Sequence, residues 1–487
     1  MALITGTSGA DLIVGTDDPD TIFAGSGNDT VDAGFGGDFV DGQDGDDVLS
    51  GGDDNDTLVG NAGNDNIDGA DGADYVEGRS GNDSVTGGDQ ADTVEGGTGN
   101  DTVRGGDAGD LIGGNDGDDI VFGDNGADLV FGDNGADSLQ GGAGNDVLNG
   151  NIGADTVSGG GGDDQLRGGQ NEDLIQDFGG GNDVMFGDRG NDNISDAGGG
   201  DDRLFGDTNI QGDPGGNDLI IDSGGGNDFI NGNLGDDVIS DSGGGDDALR
   251  GGQGNDSISD GGGAGPRGSA ELYGDRGDDT IVGGDGNDFI VGGNNVQGEA
   301  DGADVIGGGD GNDFINGNQG NDTVDGSAGD DTVRGGADRD VVGGEVGNDI
   351  IYGDRGADTL EGEEGDDTFV YGGVNDADIS TNFNDLERII DFEDLGAEND
   401  DVLDLPMPYD PDEDYEESSS TVTTVEEGLI LANAALDDDK VFAINVDGPG
   451  GNDGILVFYD TEGNGDADQV ILLIGQSTAT FGSDDIV

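Results

Sequence analysis

From Asp11 an aspartate recurs at every ninth residue, through Asp20 and Asp29 to Asp173, 19 in succession without a slip. After short insertions the series resumes at Asp183 and ends at Asp367, making 37 in all. Carboxylates at so regular a spacing could work as general acid–base pairs, or as oxygen ligands for a hard metal ion. The rest of the inventory favours the second chemistry. The chain has no histidine and no cysteine, which excludes disulfides, thiolate metal sites, zinc-protease motifs and Ser-His or Cys-His catalysis.

The elements that position these aspartates follow from the residues around them. Two residues after each of the 37 stands an apolar residue: Ile13, Ile22, Val31, Val40, Leu49, Leu58 and so on to Phe369, nearly all Ile, Val or Leu. Those types favour strands, and an acidic low-complexity chain has no reason to keep their phase. Gly141-Gly142-Ala143-Gly144-Asn145-Asp146-Val147-Leu148-Asn149 is a representative unit, with its aspartate in the sixth place. Glycines in places one, two and four suit a tight turn that needs left-handed or otherwise forbidden backbone angles, and they let carbonyls face inward. The three residues after the aspartate then form a short strand whose middle side chain points inward. Two units on opposite sides make one coil. A fold of about 19 stacked coils is expected, with the aliphatics forming a thin continuous core. The predicted fold class is all-β, a parallel β-roll or β-solenoid with a small C-terminal α+β cap.

Stacking brings sixth-place carboxylates into columns about one coil spacing apart. Each neighbouring pair repels by ~0.9 kcal/mol even in water, and by more in a partly desolvated turn. The formal net charge is −101, from 114 acidic and 13 basic residues, and only 30% of residues are hydrophobic. Such a composition stays disordered unless a counter-ion or a very efficient repeat compensates. Carboxylate and carbonyl oxygens, with no nitrogen or sulfur donors, suit Ca²⁺, whereas Mg²⁺ demands a small octahedral shell and keeps its waters. At about one ion per nonapeptide turn, calcium would cancel well over half of the formal charge. One lysine and 12 scattered arginines make no basic patch, so neither nucleic acid nor anionic membrane is an expected partner.

The nonapeptide G-G-x-G-x-D-x-U-x, with U a large aliphatic residue, resembles the RTX or haemolysin-type calcium-binding repeat over about residues 6–370. In that family the sixth-place carboxylate and carbonyls of the glycine-rich turn bind Ca²⁺ between successive turns on one side. The resemblance implies metal ligands at Asp11, Asp29, Asp38, Asp47, Asp65, Asp74, Asp83, Asp101, Asp119 and Asp128. It extends them through Asp137, Asp146, Asp155, Asp164, Asp183, Asp192, Asp202, Asp218, Asp228, Asp237 and Asp247. The last group is Asp256, Asp279, Asp288, Asp304, Asp313, Asp322, Asp331, Asp349, Asp358 and Asp367. No catalytic or organic-cofactor residues are implied. Units that lack turn glycines are expected to be weak or empty, examples being 15–23 with Pro19, 51–59 with Asp54 in place four, and 168–176 with Asn171 there. One degenerate unit surrounds Ala270 and Leu272.

Insertions follow a parity. Ten-residue units at 177–186, 196–205, 222–231 and 241–250 all fall on even units counted from Asp11, as does the expansion containing Pro266. Longer insertions at 206–221 and 292–307 fall on odd units and share an Asn-Ile/Val-Gln-Gly core. With two units per coil, the two classes decorate opposite edges. They read either as tolerated loop growth or as a lateral contact surface with extra calcium.

Residues 1–5 read as an N-terminal edge strand, 6–370 as the roll, and 371–487 as a cap with a secretion-signal region. Residues 384–405 resemble the segment that commonly follows RTX blocks. Residues 406–420 read as an exposed acidic linker, Thr424-x-x-Glu427 as a capping box opening a helix through Leu436, and 441–446, 455–459 and 470–474 as strands. The stretch from Asp460 to Asp468 alternates oxygen side chains like the start of an EF-hand loop, but Ile471 replaces the twelfth-position glutamate. It reads as a polar hairpin turn or as a calcium loop.

The N-terminus has no basic n-region or apolar h-region, so no cleaved signal peptide is expected, and no apolar run is long enough to span a bilayer. RTX proteins of Gram-negative bacteria typically leave through type I secretion machinery that reads an uncleaved C-terminal signal, and residues 475–487 look like one. With repeats from residue 6, no catalytic module is expected before them. The expected function is a secreted calcium-binding structural protein of a surface layer, filament or matrix, with self-assembly through solenoid ends or edges. Leu3-Ile4 would give the first coil an open edge, or one blunted by charge. The alternative is a monomeric adhesin or ligand-binding module, and an enzyme is not expected.

Overall fold

The computed structural model describes residues 2–207, 215–261, 268–293, 301–370, 388–389, 402–404, 415–422, 441–447, 453–459 and 469–474. They fall into two compact units, Met1–Gly244 and Gly245–Val487. Among the described residues all regular structure is β, and no helix is long and apolar enough to cross a membrane.

In the first unit, strands from Leu3–Thr5 to Val238–Asp241 alternate between two parallel sheets. Where no insertion intervenes, each strand pairs with the one 18 residues on, as Val76 does with Val94 in the first sheet and Val85 with Val103 in the second. The two-unit coil expected from the spacing is therefore the building block. Its inward row is the eighth-place aliphatics: Ile22, Leu58, Ile112, Leu148 and Ile194 are all 0% exposed. Complete burial of one such side chain is worth ~1.5–3 kcal/mol, and the row makes a core one residue wide in each sheet.

The strands are longer than expected. Thr102–Asp107 and its neighbours run six residues rather than three, with burial alternating through place one and the last residue exposed. The first glycine is thus an inward-facing strand residue, and only places four to six are left for the turn. Its role also differs from the expected one. Gly96 is not left-handed, but a Cβ there would sit 2.6 Å from Asp101 Oδ2 and 2.8 Å from the Gly114 carbonyl oxygen. Left-handed angles belong to places two and four, where non-glycine residues also adopt them, such as Arg79 (φ 76°) and Asn171 (φ 85°).

The insertion parity corresponds to the sheets. Each ten-residue unit of the first unit begins at the end of a second-sheet strand, and these strands, Leu174–Asp177, Asn193–Asp196, Leu219–Asp222 and Val238–Asp241, are cut to four residues. The longer insertion follows the first-sheet strand Arg203–Asp207, and residues 208–214 lie outside the described residues.

The second unit repeats the pattern from Ala248–Gln253 to Thr368–Val370. Two short strands extend its stacks: Arg388–Ile389 pairs parallel with Thr359 and Leu360, and Val402–Asp404 with Thr368–Val370. Leu472 and Leu473 of Gln469–Ile474 pair with Arg388 and Ile389. Beyond that the direction changes. Asp453–Tyr459 runs antiparallel to Gln469–Ile474 and to Val441–Asp447, burying Ile455, Val457, Ile471 and Leu473. The linker expected through Ser420 is a strand from Tyr415 to Val422, parallel to Val441–Asp447, where neighbouring backbone outweighs acidic composition. The expected helix through Leu436, the 460–468 loop and the 475–487 signal lie outside the described residues.

Candidate metal centre

Every sixth-place aspartate sits where a turn hands over to a strand, and the stacking register clamps it. Asp65 is representative. Its backbone N–H donates to Asp83 Oδ1 at 2.7 Å, its own Oδ1 accepts from the Asp47 N–H at 2.8 Å, and its carbonyl accepts from the Ser84 N–H at 2.8 Å. Its Oδ2 is buried without a hydrogen-bond partner. The side chain is 2% exposed.

The same arrangement repeats along both sheets. Oδ2 is buried without a partner at Asp29, Asp38, Asp47, Asp83, Asp101, Asp119 and Asp146 in the first unit, and at Asp279, Asp304, Asp322 and Asp349 in the second. A buried, unpaired carboxylate oxygen is costly. Around it the donors are all oxygen: a Cβ at Gly42 would meet Asp47 Oδ2 at 2.6 Å and the Gly60 carbonyl oxygen at 2.9 Å. Carboxylate and carbonyl oxygens thus face one small space per turn. This set fits a hard cation such as Ca²⁺. The sixth-place aspartate and first-place glycine carbonyl would hold it, and a bound ion would supply positive charge to the column.

Charge accumulation is visible in the carboxyl groups themselves. Burial, with the charges of Asp83 and Asp47 adding to it, pushes Asp65 up to about 7 against the opposing Asp47 N–H. Burial likewise pushes Asp137 to about 7 and Asp304 to about 8. Without metal, burial shifts these groups towards the protonated form.

The structure brings the residues expected from the sequence into these columns, with Asp11 at the exposed start. It adds others that incomplete glycine patterns had set aside. Asp56, Asp92, Asp110, Asp173 and Asp340 have the same ladder bonds and the same unpartnered Oδ2. Their units keep the turn because Asp54, Gln90, Ala108, Asn171 and Asp338 in place four adopt φ between 78° and 85°. The signal was the unbroken phase of aspartate and aliphatic residue, which outweighs a missing glycine. Asp20 differs: the Thr16 N–H and hydroxyl donate to its Oδ2 at 2.8 and 2.9 Å. Thr7 caps Asp11 in the same way. At Ala270 the column has a gap, since the backbone keeps the ladder bond to Asp288 Oδ1 at 2.8 Å but brings no carboxylate.

The RTX calcium-binding nonapeptide repeat, as a family model of four copies, matches residues 5–40, 41–76, 68–103, 104–139, 140–175, 179–209, 215–239, 241–264, 268–295, 307–342 and 343–377. These stretches cover more than half of the chain. No individual curated protein matches it.

Proposed function

The chain belongs to the RTX calcium-binding nonapeptide repeat family, and on that premise we propose a secreted structural protein that folds on extracellular calcium and assembles into, or decorates, a surface layer, filament or matrix. The observation that carries the calcium-dependent folding is the register of unpartnered Oδ2 atoms along both sheets. With little calcium, the column aspartates repel one another and the chain stays extended, which suits export through a narrow type I channel of a Gram-negative cell. Outside the cell, each site with Kd ~10⁻⁴ M in ~10 mM calcium adds about 2.7 kcal/mol to folding.

Assembly has support at the N-terminal edge. Leu3–Thr5 pairs with Thr21–Phe23, its single strand partner among the described residues, and Leu3 and Leu12 are 70% and 77% exposed. Exposed apolar side chains on such strands favour pairing with another strand. Electron microscopy of the purified chain with and without calcium tests this reading. Calcium-dependent sheets or fibres are expected, and persistent monomeric rods in calcium would overturn the assembly. Full β-sheet circular dichroism in excess chelator at neutral pH would overturn the calcium-dependent folding.

A further inference from the structure

A second set of carboxylates points inward at the first place, which most other units fill with a glycine. Asp177, Asp196 and Asp222 occupy the first place of three ten-residue units and end the strands Leu174–Asp177, Asn193–Asp196 and Leu219–Asp222. The register stacks Asp177 on Asp196 and Asp196 on Asp222. All three are 0% exposed.

Each joins the neighbouring column of sixth-place aspartates. Ligand oxygens of Asp164, Asp177 and Asp183 lie within 4.8 Å of one another, as do those of Asp183, Asp196 and Asp202, and of Asp202, Asp222 and Asp228. Oxygens at that separation can share one Ca²⁺ with bonds of about 2.3–2.6 Å. A further observation points to a ligand. Asp196 and Asp222 each accept a backbone N–H on Oδ1, from Gly198 at 2.7 Å and Gly224 at 2.8 Å, while Oδ2 is buried with no partner. In the first cluster a Cβ at Gly159 would run into Oδ2 of both Asp164 and Asp177, so these two oxygens face the same space.

We propose that these clusters are three calcium sites, each built from three carboxylates, and that they are tighter than the turn sites with two column aspartates. The proposal rests on the reading that the columns bind calcium, and adds a separate class of site to it. Affinity in oxygen-donor sites rises with the number of charged ligands. The seven carboxylates of these three clusters balance three divalent ions to within one charge, whereas their four column aspartates alone would leave two positive charges in excess.

The test is a calcium titration of the full chain by calorimetry in competition with a chelator. Wild type is expected to show a tight class that includes about three ions more than the variant Asp177→Asn/Asp196→Asn/Asp222→Asn, which keeps its weaker ions and its calcium-induced β-sheet signal. A variant that retains the whole tight class, or binds calcium no less tightly, overturns the proposal. Absence of calcium binding by wild type would instead overturn the reading of the columns. If the triple variant does not fold in calcium, Asp196→Asn alone decides: loss of about one tight ion supports the site, and an unchanged tight class overturns it.

Discussion

The backbone N–H of Asp155 donates to Oδ1 of Asp173 at 2.8 Å, across a coil of 18 residues, while Oδ2 of Asp173 is buried with no partner. One oxygen therefore holds the stack together and the other is left for a cation or a proton. That division governs how the chain responds to calcium and to pH.

Protons should substitute for calcium. Burial, reinforced by the charges of Asp192 and Asp155, pushes Asp173 up to about 8, and burial pushes Asp56 and Asp110 to about 7. Unfolded, these groups titrate near 3.9. Between about pH 4 and 8 the metal-free folded chain binds more protons than the unfolded one, so its stability is fully present below pH 4 and is lost as pH rises through the folded values. In chelator, acidification from pH 8 to about pH 4.5 should restore β-sheet circular dichroism. A chain that stays unfolded in acid would contradict this.

Asp173→Asn should separate the two oxygens. The amide keeps an acceptor for the Asp155 N–H but offers no charge. In saturating calcium, urea unfolding should show a loss of up to about 2.7 kcal/mol for one site. In chelator at pH 4.5, where the aspartate is itself neutral, the difference should nearly vanish. Equal losses under both conditions would mean that the carboxylate acts through packing alone.

The first coil should respond to acid with the opposite sign. The Ala2 N–H foremost, with the Thr16 N–H and hydroxyl, holds Asp20 below the usual carboxylate range against burial. Its contribution is present above the unfolded pKa and disappears as pH falls through the folded one. Hydrogen exchange at pH 3 should therefore show Thr21–Ser26 fraying while strands such as Thr102–Asp107 stay protected. Thr16→Val should speed exchange in Thr21–Ser26 at neutral pH, and no change there would argue against the cap.

The aliphatic row should tolerate little. Ile112 is 0% exposed and stacks in register between Val94 and Val130. Ile112→Ala should cost about 2–5 kcal/mol in calcium, because a core one residue wide has few neighbours that can collapse into the gap. Thermal unfolding in saturating calcium measures it.

Much of this was readable in the chain, for a local reason. An aspartate and an aliphatic residue two places apart, repeated every nine, put both on one side of a strand in every unit, and parallel stacking at 18 residues follows from having two units per coil. Ile22, Leu58 and Leu148 were thus identifiable as core, and Asp65 and Asp146 as column carboxylates. The missing glycines in place four leave the turn intact, because Asp54 and Asn171 take the left-handed angle themselves within the ladder of coil-to-coil hydrogen bonds.

What the tertiary structure alone decided is which atoms are left without partners. Whether a carboxylate oxygen meets an N–H, a threonine hydroxyl or nothing depends on the residue one coil away and on the turn beside it, so Asp11 and Asp65 are both implied ligands in sequence and differ in the fold. The inward turn of Asp177, Asp196 and Asp222, the six-residue strands and the strand at Tyr415–Val422 have the same origin. Periodicity determined which face each residue takes, because that is set by the chain's own alternation. The partners across that face were set by stacking.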